Sequence, residues 1–230
     1  MIRLILFDMD GTLVDWHACH EYAFAQMFEQ VYGIQGQLQD VRFAGMTHAN
    51  ILRAVCDLFG LAPDEVEKKL PVAIEYLGQV MADCVCRDSD DHVLPGVRKL
   101  LQTLSHRELL LGVFTGNPAP IGQMLLDHEG LLEYFQLCTY GLEADHRLGL
   151  IEASLLKARR KLGSPIPGPE VMVVGDSPLD VEAAKQVGAC TVAVNTGVLD
   201  VSELRRCQPD LLLPDLVNPQ ALLELLGTDN

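Results

Sequence analysis

Apolar positions in this chain fall into short unbroken runs separated by longer stretches with a spacing of three and four. Ile2 to Phe7, Leu109 to Phe114 and Val171 to Val174 are almost wholly apolar, and branched or aromatic residues recur in them. That is the pattern of strands buried on both faces of a parallel sheet. Phe135 to Thr139, Thr191 to Val194 and Leu211 to Leu213 are shorter candidates. Between these runs the period lengthens. It predicts helices over Val97 to His106, Ala119 to His128, the stretch after Arg147 through Lys161, Val181 to Val187, Val201 to Arg206 and Pro219 to Leu226. Strands alternating with helices predict an α/β fold built on a parallel sheet.

Residues 16–93 break that alternation. His17 to Tyr32 carries Ala18, Tyr22, Ala25 and Phe28 at helical spacing, with Gly33 as a stop. Thr47 to Phe59 repeats the pattern through Ile51, Leu52, Val55 and Leu58; Thr47 is a candidate N-cap and Gly60 closes the helix. Pro63 opens a longer charged helix, and Ala73 to Cys86 continues as helix. No stretch here reads as a strand. The return, Arg87-Asp88-Ser89-Asp90-Asp91, is polar and hinge-like. The expected organisation is an α/β core of residues 1–15 and 94–230, interrupted by a helical domain of residues 16–93.

Composition narrows the partners. The chain has 230 residues, with 32 acids against 17 bases and a net charge of −15. Nucleic acid and anionic membranes both require a basic surface, so neither is expected. An anionic ligand would have to be held by local cations. The N-terminal apolar run is too short for a secretory signal, and no stretch approaches a membrane span. Seven scattered cysteines form neither a disulfide framework nor a zinc pattern, which fits reduced thiols and a cytoplasmic location.

Chemistry gathers where the apolar runs end, and ligands of open parallel sheets bind at those ends. The first run ends in Asp8-Met9-Asp10-Gly11-Thr12-Leu13-Val14-Asp15. Residues two apart in extended backbone point the same way, so Asp8 and Asp10 can converge. Two close carboxylates repel unless a cation joins them, and Mg²⁺ suits hard oxygen ligands. The second run ends in Thr115-Gly116-Asn117-Pro118, a hydroxyl followed by a helix start that suits phosphate oxygens but is also an ordinary strand–helix junction. The fourth ends in Gly175-Asp176-Ser177-Pro178-Leu179-Asp180, which adds a carboxylate at another strand end.

The Asp8–Asp15 string resembles the first motif, DxDGTLxD, of the haloacid dehalogenase-like hydrolases, most of which are Mg²⁺-dependent phosphatases. Thr115-Gly116-Asn117 is similar to the family's second motif, where the hydroxyl binds the transferring phosphoryl group. Arg147 stands where the third motif usually has Lys; it supplies the same charge with forked contacts, or is a surface arginine at a helix start. Gly175 to Asp180 resembles the fourth motif. The resemblance implies a Rossmann-like doubly wound core. It gives Asp8 the role of nucleophile and Asp10 that of general acid/base. It implies Mg²⁺ held by Asp8, Asp176 and the backbone carbonyl of Asp10, with Asp180 orienting the metal shell.

The helical insertion resembles a C1-type cap, which closes over the site and selects the substrate. Within it, Arg42-Phe43-Ala44-Gly45-Met46-Thr47 is the candidate loop facing the site, with Arg42 either pairing a substrate anion or lying on the surface. His17, His20 and His48 read as packing or surface residues, since no carboxylate or cysteine stands at metal-site spacing to support them. The C-terminal stretch resembles phosphoglycolate phosphatase-like members.

The expected activity is hydrolysis of a small phosphorylated metabolite, of phosphoglycolate or sugar-phosphate type, by a monomer or homodimer. Alternatives are a sugar-phosphate mutase similar to β-phosphoglucomutase and a non-catalytic phospho-ligand-binding protein. A dehalogenase would need neither Asp10 nor Asp176. A phosphonate hydrolase would be expected to place a Schiff-base lysine in the cap, whose only lysines, Lys68 and Lys69, lie in a charged run.

Overall fold

The computed structural model describes residues 1–227; residues 228–230, the end of the expected core segment, lie outside the described residues. The expected strands and helices form, most ends falling within three residues of those expected. The strands are β1 (Leu4–Phe7), β2 (Leu110–Phe114), β3 (Leu137–Thr139), β4 (Val171–Gly175), β5 (Cys190–Val194) and β6 (Leu211–Leu213). They pair in parallel in the order β3-β2-β1-β4-β5-β6. That is the Rossmann-like doubly wound order, and its switch point falls where the chain leaves one half for the other, between β1 and β4.

Side-chain alternation along β1 explains the layers. Ile5 and Phe7 face one side, packed with Val113, Met172 and Val174. Leu4 and Leu6 face the other, against Leu150, Ile151 and Ala158 of α6 (Arg147–Leu162) and Ala183 and Ala184 of α7 (Pro178–Gln186). Both faces are covered, which is why these strands read as continuous apolar runs rather than alternating ones.

The insertion carries α1 (His17–Met27), which passes into a π-helical turn at Phe28–Tyr32, then α2 (His48–Leu58) and α3 (Pro63–Arg87); α4 (Val97–Ser105) and α5 (Ala119–His128) follow on either side of β2. Thr47 caps α2, its hydroxyl accepting from the Asn50 N–H at 3.3 Å. Phe24, Met27, Leu52, Leu77 and Met81 of these helices join the same apolar cluster as Ile5 and Phe7. Two connections carry the chain into and out of the insertion, and they run side by side. Asp15 N–H bonds the His92 carbonyl at 2.9 Å, and Leu94 N–H bonds the Leu13 carbonyl at 2.9 Å. Among the described residues no helix is long and apolar enough to cross a membrane.

Candidate active site

Asp8 is the first residue beyond β1, and Asp176 the first beyond β4, so the two carboxylates face each other across the switch point. Both are buried. Asp180 follows on the first turn of α7, where it forms a capping box with Ser177: the Ser177 N–H and hydroxyl donate to its Oδ2 at 3.1 and 2.6 Å. Carboxylate oxygens of Asp8, Asp176 and Asp180 lie within 4.8 Å of one another. Arg147, the first residue of α6, is the counter-charge. Its Nη1 donates to Asp8 Oδ1 at 3.0 Å, and its Nε lies 2.8 Å from Asp180 Oδ1. The guanidinium also stands over the Phe114 ring at 5.1 Å. Arg147 is buried, not a surface residue.

One arginine does not satisfy three buried carboxylates. Burial, with the neighbouring acids, pushes Asp8 well above the usual carboxylate range despite Arg147. Burial and the Asp180 charge push Asp176 up to about 7. The Asp176 carboxylate accepts a long 3.5 Å bond from the Thr12 hydroxyl and otherwise meets another acid, Asp8. A metal ion bound here would supply the missing positive charge. Gly11 belongs to the same fit: its φ is +78°, and a Cβ there would come 2.5 Å from Asp176 Oδ2. Only glycine allows the loop after Asp10 to turn that close.

Asp10 lies on the cavity side and is partly buried. Its Oδ1 is 3.2 Å from His20 Nε2, and its Oδ2 accepts from the Asn117 amide. Burial favours the neutral acid, but His20, His48 and the Asn117 bond outweigh it and hold Asp10 below the usual range. Asn117 also donates to Thr115 Oγ1 at 2.8 Å, and the Asn117 backbone N–H reaches the same oxygen at 3.1 Å. Its amide nitrogen is thus spent on Asp10 and Thr115.

Asp8, Asp10, Thr115, Gly116, Asn117, Arg147 and Asp176 all open onto one cavity of about 230 Å³. Phe43, Ala44, Gly45 and Met46 form part of its roof. The roof is pressed on the core: the His48 N–H bonds the Gly116 carbonyl at 3.0 Å, and a Cβ at Gly116 would meet the Met46 carbonyl at 2.2 Å. Arg42 is not part of it. Its side chain is 79% exposed and pairs with Glu203 outside the cavity, because the next residue, Phe43, takes the inward direction.

The structure adds residues that the sequence pattern did not mark. His17, His20 and His48 all line the cavity, and His20 touches Asp10. They pack, as expected, but they pack as the wall of the site. Thr196, Gly197 and Val198 line it too, and the Thr196 hydroxyl bonds the Gly11 carbonyl. The end of β5 is a strand end like the others, which was the available signal. Lys157, the first lysine along α6 after Arg147, does not line the cavity and pairs with Glu143 at 2.6 Å.

Residues 2–188 match the family model described as haloacid dehalogenase-like hydrolase. The chain belongs to that family. A phosphoglycolate phosphatase of Synechococcus elongatus is 30% identical over 217 residues, 92% of each chain. An N-acetylmuramic acid 6-phosphate phosphatase of Pseudomonas aeruginosa is 27% identical over 86% of this chain and 84% of that one. Among solved structures, a β-phosphoglucomutase of Clostridium difficile superposes with a TM-score of 0.78 at 16% identity, covering 99% and 98% of the two chains. With phosphatase-named relatives along its length, this haloacid dehalogenase-like protein is a phosphoric monoester hydrolase.

Proposed function

We propose that the chain is a Mg²⁺-dependent phosphatase that hydrolyses a small phosphate monoester through an aspartyl-phosphate on Asp8. The observation that carries this reading is the cavity floor: Asp8, Asp176 and Arg147 converge beneath it while Asp10 stands at its side. Asp8 and Asp176, with the backbone carbonyl of Asp10, would hold the metal, and Asp180 would steady the shell from α7. When bound, Mg²⁺ neutralises charge on the phosphoryl oxygens and lets the anionic ester approach the carboxylates.

An Asp8 carboxylate oxygen attacks phosphorus, and the ester P–O bond breaks. Asp10 gives its proton to the departing alkoxide, then takes one from water as that water attacks the aspartyl-phosphate and frees Asp8. Asp10 must carry a proton for the first step, and its Oδ1 lies 3.2 Å from His20 Nε2. Thr115 Oγ1, the backbone at Gly116 and the Arg147 guanidinium bind phosphoryl oxygens. Arg147 also holds Asp8 in line through its 3.0 Å bond. The helical insertion acts as a cap that shields the bound ester from bulk solvent.

The direct test is phosphate release from a panel of monoesters with Mg²⁺ and with EDTA. Metal-dependent release, lost in Asp8→Asn while the circular dichroism spectrum is kept, is the expected result. Full turnover by Asp8→Asn would overturn the covalent route.

A further inference from the structure

Resting on the phosphatase reading, we infer that the alcohol released is an uncharged ring alcohol with apolar faces, and that the cavity discriminates against esters carrying a second anion. Much of the cavity wall contributed by the helical insertion is aromatic and aliphatic. Phe43 stacks on His17, with ring centroids 5.3 Å apart at 20°. Phe24 and His20 each meet the His48 ring edge-on, with centroids 5.0 Å away. Leu38, Met46 and Ile51 complete that wall. Such a surface receives the face and edge of a ring. It offers few partners to the hydroxyls of an open polyol, and each buried hydroxyl without one is costly. At about 230 Å³ the cavity is small beside the ~300–1,000 Å³ usual for ligand sites, room for a phosphoryl group and little more than one ring.

The charge inventory points the same way. Among the described residues, Arg147 is the only arginine or lysine lining the cavity, and Asp8 and Asp180 already engage it. Arg42 is turned out to Glu203, and Arg53 is held by Glu67 and Asp145. The histidines do not replace them. His48 is kept neutral, its value pushed down to about 3 by burial and by His20. His20 Nε2 faces Asp10, and His17 Nε2 faces Glu21 at 3.2 Å. Asp15 adds a negative charge to the lining. A carboxylate on the alcohol, as in 2-phosphoglycolate, or a second phosphate, as in a sugar bisphosphate, would be desolvated against this wall with no cation to meet it. The same reasoning disfavours a mutase that passes through a bisphosphate.

Benzyl phosphate and 2-phosphoglycolate test this, because both release a primary alkoxide and differ mainly in the ring against the carboxylate. The expected result is a kcat/KM at least tenfold higher for benzyl phosphate, carried mostly by KM. Parity, or preference for 2-phosphoglycolate, overturns the inference. Phe43→Arg is expected to narrow the ratio at least tenfold by placing a cation on the wall, with Met46→Lys as the second variant if Phe43→Arg does not fold. An unchanged ratio in a folded variant also overturns it. Calorimetry on Mg²⁺-loaded Asp8→Asn reads the preference without turnover: tighter binding of benzyl phosphate supports the inference, and equal or tighter 2-phosphoglycolate binding overturns it. If the wild type releases phosphate from no ester while this binding preference stands, the hydrolytic reading fails and the inference about the wall survives.

Discussion

Arg147 is the point at which charge and fold meet. It enters at the first position of α6 and lies between Asp8 and Asp180, all three buried. Removing one partner of a buried ion pair leaves uncompensated charge and costs about 3–5 kcal/mol. Arg147→Met is therefore expected to lower stability by about that amount in urea titration, with Mg²⁺ recovering part of it. No loss would mean that the acids are protonated and need no partner. His48 has a different signature. Its folded value lies near 3 against an ordinary 6.5, so the unfolded chain binds more protons throughout that window. Stability then falls as pH drops from about 6.5 toward 3. Beside His48 stand His20 and Asp10, and His48→Asn leaves both in place. That variant is expected to lose less stability than the wild type between pH 7 and 5; equal losses would place the acid sensitivity elsewhere.

At the scale of elements, α3 and the roof loop carry the consequences. Pro71 is exposed inside the 25-residue α3, where it has no N–H for the Glu67 carbonyl. An internal proline costs a helix ~3 kcal/mol against alanine, part of which packing has already absorbed here. Pro71→Ala is expected to stabilise by about 1–2 kcal/mol and raise Tm by several degrees, measured by calorimetry. A lower Tm would mean that the rest of the helix is fitted to the proline. The loop from Gly45 to His48 rests directly on Gly116. Gly116→Ala must push that backbone away, so kcat is expected to fall at least tenfold and Tm by several degrees. The strands were legible in sequence because burial on both faces leaves an unbroken apolar run. Sequence left Arg42 open between site and surface because a loop has no such period: the choice of which neighbour turns inward is made by what lies beneath, and Phe43 found His17.

At the scale of the whole molecule, a net charge of −15 surrounds a site for an anion. The long-range field slows the encounter, and salt screens it. With Mg²⁺ saturating, kcat/KM for a dianionic ester is expected to rise between roughly 10 and 150 mM NaCl; a fall would mean that the local cations dominate the approach. Sequence by itself determined the α/β alternation, the inserted helices, and the acids and hydroxyl at the strand ends, because these depend on local periodicity and on which residue follows each buried run. Tertiary structure alone decided that His20 faces Asp10 with His48 packed against it, that Asn117 is spent on Asp10 and Thr115, that Arg147 is locked among acids, and that among the described residues Arg147 is the only arginine or lysine lining the cavity. Those facts rest on how α1 and α2 pack over the sheet, and packing joins residues whose separation along the chain leaves no mark in its pattern.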